Sequence, residues 1–226
     1  MSRKRSCTGI VLRVMDIGEA DRFCIVLTRE YGRIAARARG ARRATSTLPA
    51  LLPGRTLRFE LRESGSAYVI HAMHPAPDMP HIDQDVRAFL QFHHAAEALL
   101  HLLHDAETLP IVFDDAVRFV HLCAAGVHEP FPVYALRLLA SLGLLPLTPE
   151  DSRYARLSPP ARTAVGLAAG EATWCAQAVG PCPSDVRAFA EAILRDHAVS
   201  ALRVADVARQ FTDVGASGAP PIAAVR

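Results

Sequence analysis

Acidic residues are missing from Tyr31 to Phe59, and lysine occurs once in the chain, at Lys4. Within that acid-free stretch lies "GRIAARARGARR", Gly32 to Arg43, with five arginines. Charges of one sign at such density repel one another, so something outside the segment is expected to neutralise them. GC-rich coding accounts for an Arg and Ala excess and for the lack of lysine. It does not account for a basic excess confined to one third of the chain. Cysteine is sparse as well. Cys7, Cys24, Cys123, Cys175 and Cys182 are odd in number, scattered and without a CxxC pair. That excludes a four-cysteine zinc site and argues against a disulfide framework. Mostly buried thiols in a reducing, cytoplasmic compartment are expected. No apolar run reaches about 18 residues, so no membrane span is expected. The basic head "MSRKR" precedes an apolar run too short for a signal peptide. GxGxxG, Walker and GxSxG patterns are also absent, which leaves nucleotide binding and serine hydrolysis without support and no catalytic residue to name.

What remains is a globular chain of 226 residues, half of them hydrophobic, with room for one or two cores. The net charge of +2 conceals a division. Residues 1–74 hold 14 Arg plus Lys against 6 Asp plus Glu, and residues 75–226 hold 11 against 17. The front part is suited to a polyanion and the rear part is not.

Period-two alternation runs through residues 8–74 and predicts five strands: "TGIVLRVM", "RFCIVLT", "RIAARAR", "RTLRFELR" and "AYVIHAMH". Turns fall at "DIGEAD", "REYG" and "ESGS", and a polar loop at "GARRATST". Phe23, Ile25 and Leu27 share a face, and Phe23 and Phe59 take the core phase. On the third strand Ile34, Ala36 and Ala38 point one way and Arg33, Arg37 and Arg39 the other. Five short strands must hide their edges, and a small closed barrel of the OB type does so. The proline-rich "HPAPDMPHID" marks a domain boundary, giving a barrel domain at 1–76, a helical domain at 81–212 and a flexible tail at 213–226. The helical period predicts a helix capped by Asp83 and running to about His104. Others cover Ile111–Gly126, Pro132–Leu144, Pro160–Leu167, Gly170–Ala178, Asp185 to about Ala198 with Ser184 as cap, and Val204–Phe211. The expected class is therefore α+β: an amino-terminal five-stranded OB-fold barrel followed by an all-α domain, with no zinc motif.

Arg33, Arg37 and Arg39 project from one strand face, and Arg42 and Arg43 extend the patch into the loop. Arg13 and Arg22 are outer members. Guanidinium is planar, always charged and suited to bidentate phosphate contacts. OB-folds bind single strands with a basic groove and stacking aromatics. Only Tyr31 and Tyr68 are free to stack, so contact to the sugar–phosphate backbone with little base reading is expected.

The run "GIVLRVMDIGEADRFCIVLTREYGRIAARARGARR" resembles the bacterial RecO family of DNA repair and recombination mediators. The resemblance rests on Gly18-Glu19-Ala20-Asp21-Arg22, Leu27-Thr28, Gly32-Arg33 and Arg39-Gly40-Ala41-Arg42. "YALRLLASLGLLP" and "AVSALRVADVARQF" are similar to the family's Leu-Gly helix and carboxy-terminal helix. The resemblance implies an OB-fold followed by a helical domain, in a protein that binds single- and double-stranded DNA. It implies annealing of complementary strands and recombinase loading onto DNA coated with single-strand-binding protein. The implied partners are RecR and the carboxy-terminal tail of that coating protein. No covalent chemistry, enzyme activity or cofactor is implied, and the location would be the nucleoid. Many relatives carry a four-cysteine zinc motif where this chain reads "LTPEDSRYARLSPPARTAVGLAAGEATWC", so no metal is expected there. Gly54 stands where the family has an aromatic.

Other constellations have plainer readings. His94, Glu97, His101 and His104 fall near one helical stripe with a metal-ligand look, although no second helix offers a matching set. Asp114 and Asp115 look like first-turn helix acids. Arg137, amid leucines in "FPVYALRLLASLGLL", is either a buried ion pair or a groove residue where an acidic peptide tail docks. Two rivals to DNA mediation stay open: an RNA-binding OB module with no recombination role, and a metalloenzyme built on the histidine stripe.

Overall fold

The computed structural model describes residues 4–43, 46, 51–64, 67–77, 82 and 85–197. Five strands close into a barrel in the order β1-β2-β3-β5-β4, the OB-fold arrangement. They are β1 Lys4–Ile17, β2 Asp21–Thr28, β3 Gly32–Ala38, β4 Thr56–Ser64 and β5 Ala67–Pro75. All pairings are antiparallel except β3 with β5. β1 is long enough to serve two neighbours: Lys4–Ile10 pairs with β4, and Gly9–Ile17 pairs with β2. A bulge between Val11 and Arg13 makes Leu12 an extra residue. Cys7, Val11, Cys24, Val26, Ile34, Ala36, Leu57, Phe59, Leu61 and Ile70 fill the barrel.

Seven helices follow among the described residues: α1 Val86–Leu102, α2 Pro110–Ala124, α3 Phe131–Ser141, α4 Ser152–Ala155, α5 Pro159–Ala169, α6 Trp174–Val179 and α7 Ser184–His197. The cap of α1 is Asp85, whose carboxylate accepts from the Arg87 and Ala88 N–H groups at 2.8 and 3.4 Å. The expected cap at Asp83, the helix over Val204–Phe211 and the tail at 213–226 lie outside the described residues. The apolar helix α3 is buried almost throughout and packs against α1, α2, α5, α6 and α7. Tyr134 on it stacks on Phe119 at 4.4 Å and leans on Trp174. No described helix is long and apolar enough to cross a membrane.

The barrel wall and the helices share one apolar core. Ile10, the bulge residue Leu12, and Leu27 leave the barrel interior and join the cluster built from α1, α2 and α3. Polar contacts lock the same seam. Arg29 makes two bonds to Asp114, at 2.9 and 3.1 Å. The Ala106 N–H donates to the Arg33 carbonyl at 2.9 Å. Gly32, at φ +64°, sits so close to the 105–107 loop that a Cβ would lie 2.0 Å from the Glu107 carbonyl oxygen. Gly54, where the family resemblance implies an aromatic, sits at φ +83°, a left-handed backbone that side chains rarely adopt, and a Cβ there would lie 2.6 Å from the Ile82 side chain, which would have to shift.

The phase of β2 differs from the sequence expectation. Cys24 and Val26 point into the barrel, and Phe23, Ile25 and Leu27 form its outer face. Both sets are apolar because the strand is covered on both sides over part of its length, which removes the contrast that alternation relies on. Asp114 and Asp115 are also displaced from the first helical turn, since α2 already begins at Pro110.

Candidate nucleic-acid interface

The β1–β2 turn and the tail of β3 are stitched together at one end of the barrel. The Arg42 N–H donates to the Ala20 carbonyl at 2.9 Å, and its guanidinium donates to the Gly18 carbonyl at 2.9 Å. Asp21 accepts from the Gly40 N–H and from Arg37 Nε, both at 2.8 Å. The Gly40 N–H, then the Arg37 guanidinium, with the Arg39 charge nearby, hold the Asp21 carboxyl below its ordinary value. The "GEADR" turn thus fixes where the arginine-rich tail of β3 emerges.

Arg37, Arg39, Arg42 and Arg43 are exposed there, and Arg22 is half-buried beside them. Arg22 and Arg42 share Asp16, at 3.2 and 3.4 Å. Among the described residues neither Arg39 nor Arg43 forms an ion pair. The five guanidinium groups therefore gather at this end of the barrel, with Asp16 and Asp21 among them, Glu19 exposed in the adjoining turn, and a positive excess left over.

Two predicted members stand elsewhere. Arg33 shares the outer face of β3 with Arg37, but its end of the strand is covered by the helices. Its Nε bonds Asp105 at 2.8 Å, another nitrogen meets the Leu100 carbonyl, and only 15% of its side chain is exposed. Arg13 is exposed but faces α1, where its charge acts on His93. Arg33 thus belongs to the seam and Arg13 to its border.

An aromatic is found where the sequence did not promise one. Phe23 pairs directly with Arg37 on β3 and with Met15 on β1, all on the barrel exterior. Phe23 is half-buried and Met15 is 40% exposed. A flat ring beside guanidinium groups on the β2–β3 face is the arrangement OB-folds use for unpaired bases. The signal was present in the pairing of Phe23 with an arginine position, but the ambiguous phase of β2 hid it. Tyr31 and Tyr68 lie instead against the barrel core, 6.3 Å apart, with the Arg5 guanidinium 5.2 Å above Tyr31.

In the helical half, Arg137 is engaged and buried. Its Nε donates to Asp115 at 2.7 Å and a second nitrogen to the Ala169 carbonyl at 2.9 Å. Asp115 also accepts from Arg118 and from the Trp174 indole N–H, each at 3.0 Å. This is the buried ion pair rather than an open groove. The histidine stripe disperses: His94 stacks on Phe131 at 3.6 Å inside the core, whereas His104 lies beyond the end of α1 and is exposed. No group of three metal-ligating side chains occurs among the described residues. Cys7, Cys24 and Cys123 are buried free thiols, each pushed up to about 12 by desolvation.

Residues 1–76 match the family model described as the amino-terminal domain of recombination protein O. A "DNA repair protein RecO" of Polaromonas sp. is 31% identical over 166 residues, covering 71% of this chain and 66% of that protein. One of Anaeromyxobacter sp. is 33% identical over 144 residues, covering 62% and 57%. One of Bacillus velezensis is 51% identical over 45 residues, 20% of this chain and 18% of the relative. The matched stretch spans 66% or less of these relatives' own length. The barrel fits the family's amino-terminal model, and the longer alignments run beyond the barrel. The chain belongs to the RecO family.

Proposed function

We propose that the chain binds DNA through the β2–β3 face and the adjoining turn, anneals complementary strands, and assists recombinase loading on DNA coated with single-strand-binding protein. The observation that carries this reading is the convergence of Arg22, Arg37, Arg39, Arg42 and Arg43 beside an outward-facing Phe23. Arginines neutralise the phosphates of two strands and lower their mutual repulsion. Complementary strands then meet at raised local concentration, and base pairing supplies the free energy. No catalytic group or cofactor is required, and the work is done beside the nucleoid, in the cytoplasm. RecR and the acidic tail of single-strand-binding protein are the proposed partners. Arg137 is not offered as the tail's anchor, because its guanidinium is buried against Asp115.

The test is equilibrium binding to single- and double-stranded DNA across a salt series. Arg37→Gln with Arg39→Gln flattens the dependence of log affinity on log salt by about 0.7 per lost phosphate contact on single strands. Phe23→Leu weakens binding to single strands alone, about equally at every salt concentration, since stacking releases no counterions. Unchanged affinity and slope in the arginine pair would reject the assignment. Annealing of coated complementary strands, with and without RecR, tests the mediator role. Stronger competition by RNA than by DNA, with no annealing, would favour the plain RNA-binding module.

A further inference from the structure

The barrel carries a second group of cations that the β2–β3 face does not use. From Phe23 the register runs to Arg37 on β3, Val69 on β5, Arg62 on β4 and Lys4 on β1. Residues directly opposite one another share a face of the sheet, so these five side chains form one row around the outside of the barrel. The row advances about 4.8 Å per strand. Its far end opens on a cleft of about 320 Å³ that includes Lys4, Ser6, Arg62 and His71, with Glu60 beside them. A bulge opposite Glu60 and Leu61 makes His71 the extra residue of β5, and bulges re-aim side chains in this way. Lys4 and Arg62 are both exposed and directly opposed in register. Like charges so placed destabilise a strand pair. Among the described residues neither is matched to a carboxylate, whereas Arg5 in the same cleft is paired with Glu63 at 2.8 Å. An anion bridging Lys4 and Arg62 relieves that repulsion.

We propose that this cleft is a second phosphate-binding subsite, which takes the backbone of a single-stranded polynucleotide after it has crossed the β2–β3 face. The proposal rests on the DNA-binding reading above. It fits a polynucleotide better than a separate small anion because the row from Arg37 to Lys4 is continuous with the first site. Glu60 works against it, and that makes the electrostatics testable.

The experiment compares strands of about 3 and about 20 nucleotides: at about 3.4 Å per nucleotide the shorter spans about 10 Å, less than the three strand steps of about 4.8 Å from Arg37 to Lys4, and the longer exceeds the site sizes of OB-folds. Lys4→Gln with Arg62→Gln weakens the longer strand about 25-fold at 0.1 M salt and lowers its salt slope by about 1.4, the effect of two lost contacts. The shorter strand is unaffected. Glu60→Gln tightens only the longer one. Thermal unfolding of the double variant, unchanged or raised because the repulsion is gone, confirms that the fold is intact. Equal weakening of both lengths, or of neither, overturns the subsite and leaves the first site standing. A wild-type protein that binds neither length overturns both readings.

Discussion

Replacing Arg137 by Met isolates the energetics of the helical core. The Asp115 and Arg137 side chains are 2% and 7% exposed. Removing the guanidinium leaves a buried carboxylate with only Arg118, itself 46% exposed, and the Trp174 N–H as partners. Breaking a buried pair from one side costs about 3–5 kcal/mol. For a chain of this size each kcal/mol lowers the melting temperature by about 2–4 °C, so a fall of roughly 6–20 °C is expected. Trp174 is the only tryptophan, is fully buried and donates to Asp115, so its emission reports the site during urea unfolding. The double variant Asp115→Leu with Arg137→Met recovers part of the loss, because no charge is stranded. Recovery is incomplete, since the Trp174 N–H then lacks its acceptor, at about 1–3 kcal/mol. DNA affinity and its salt slope stay at the wild-type value in both variants. A loss under 1 kcal/mol in Arg137→Met would mean that the pair is hydrated in solution and would refute the burial argument.

Two further outcomes follow from the seam and the turn. Gly32→Ala places a methyl group 2.0 Å from the Glu107 carbonyl oxygen and requires an alanine at a positive φ, which alone costs about 1–2 kcal/mol; hydrogen exchange should show faster opening of the 105–107 loop, and unchanged exchange there would contradict the close approach. Asp21→Asn frees Arg37 for phosphate and steepens the single-strand salt slope by up to about 0.7 while loosening the β3 tail. The Asp21 carboxyl is depressed in the folded protein, so its stabilising contribution is present above the unfolded value near pH 4. That contribution is lost as pH falls through the folded value. The wild type should therefore lose its stability advantage over Asp21→Asn on acidification below about pH 4, and a constant difference down to pH 2 would sink this account.

The strands and most helices were legible because their periods are clean, and the basic tail of β3 was legible because nothing acidic interrupts it. Four features were not. The two faces of β2 are both apolar, Phe23, Ile25 and Leu27 against Cys24 and Val26, since one end of that strand is covered by helices and the other is not. Period alone cannot rank two such faces. Arg33 and Arg37 have identical phase on β3, and only the packing of the 105–107 loop separates an engaged guanidinium from an exposed one. Asp115 looks like any helix acid until Arg137 and Trp174, 22 and 59 residues away, are brought to it. The short helix α4 is one turn anchored by the Asp151 carboxylate and left no periodic trace.

Ile10, Leu12 and Leu27 give one wall of the barrel a second tenant. An excised fragment ending near residue 76 would present those three side chains to water as an oily stripe, so a soluble stand-alone barrel for biochemistry calls for polar replacements at all three. The same sharing makes β2 a strand of two allegiances, with Phe23 turned to the outer face at one end and Leu27 sunk into the helical cluster at the other.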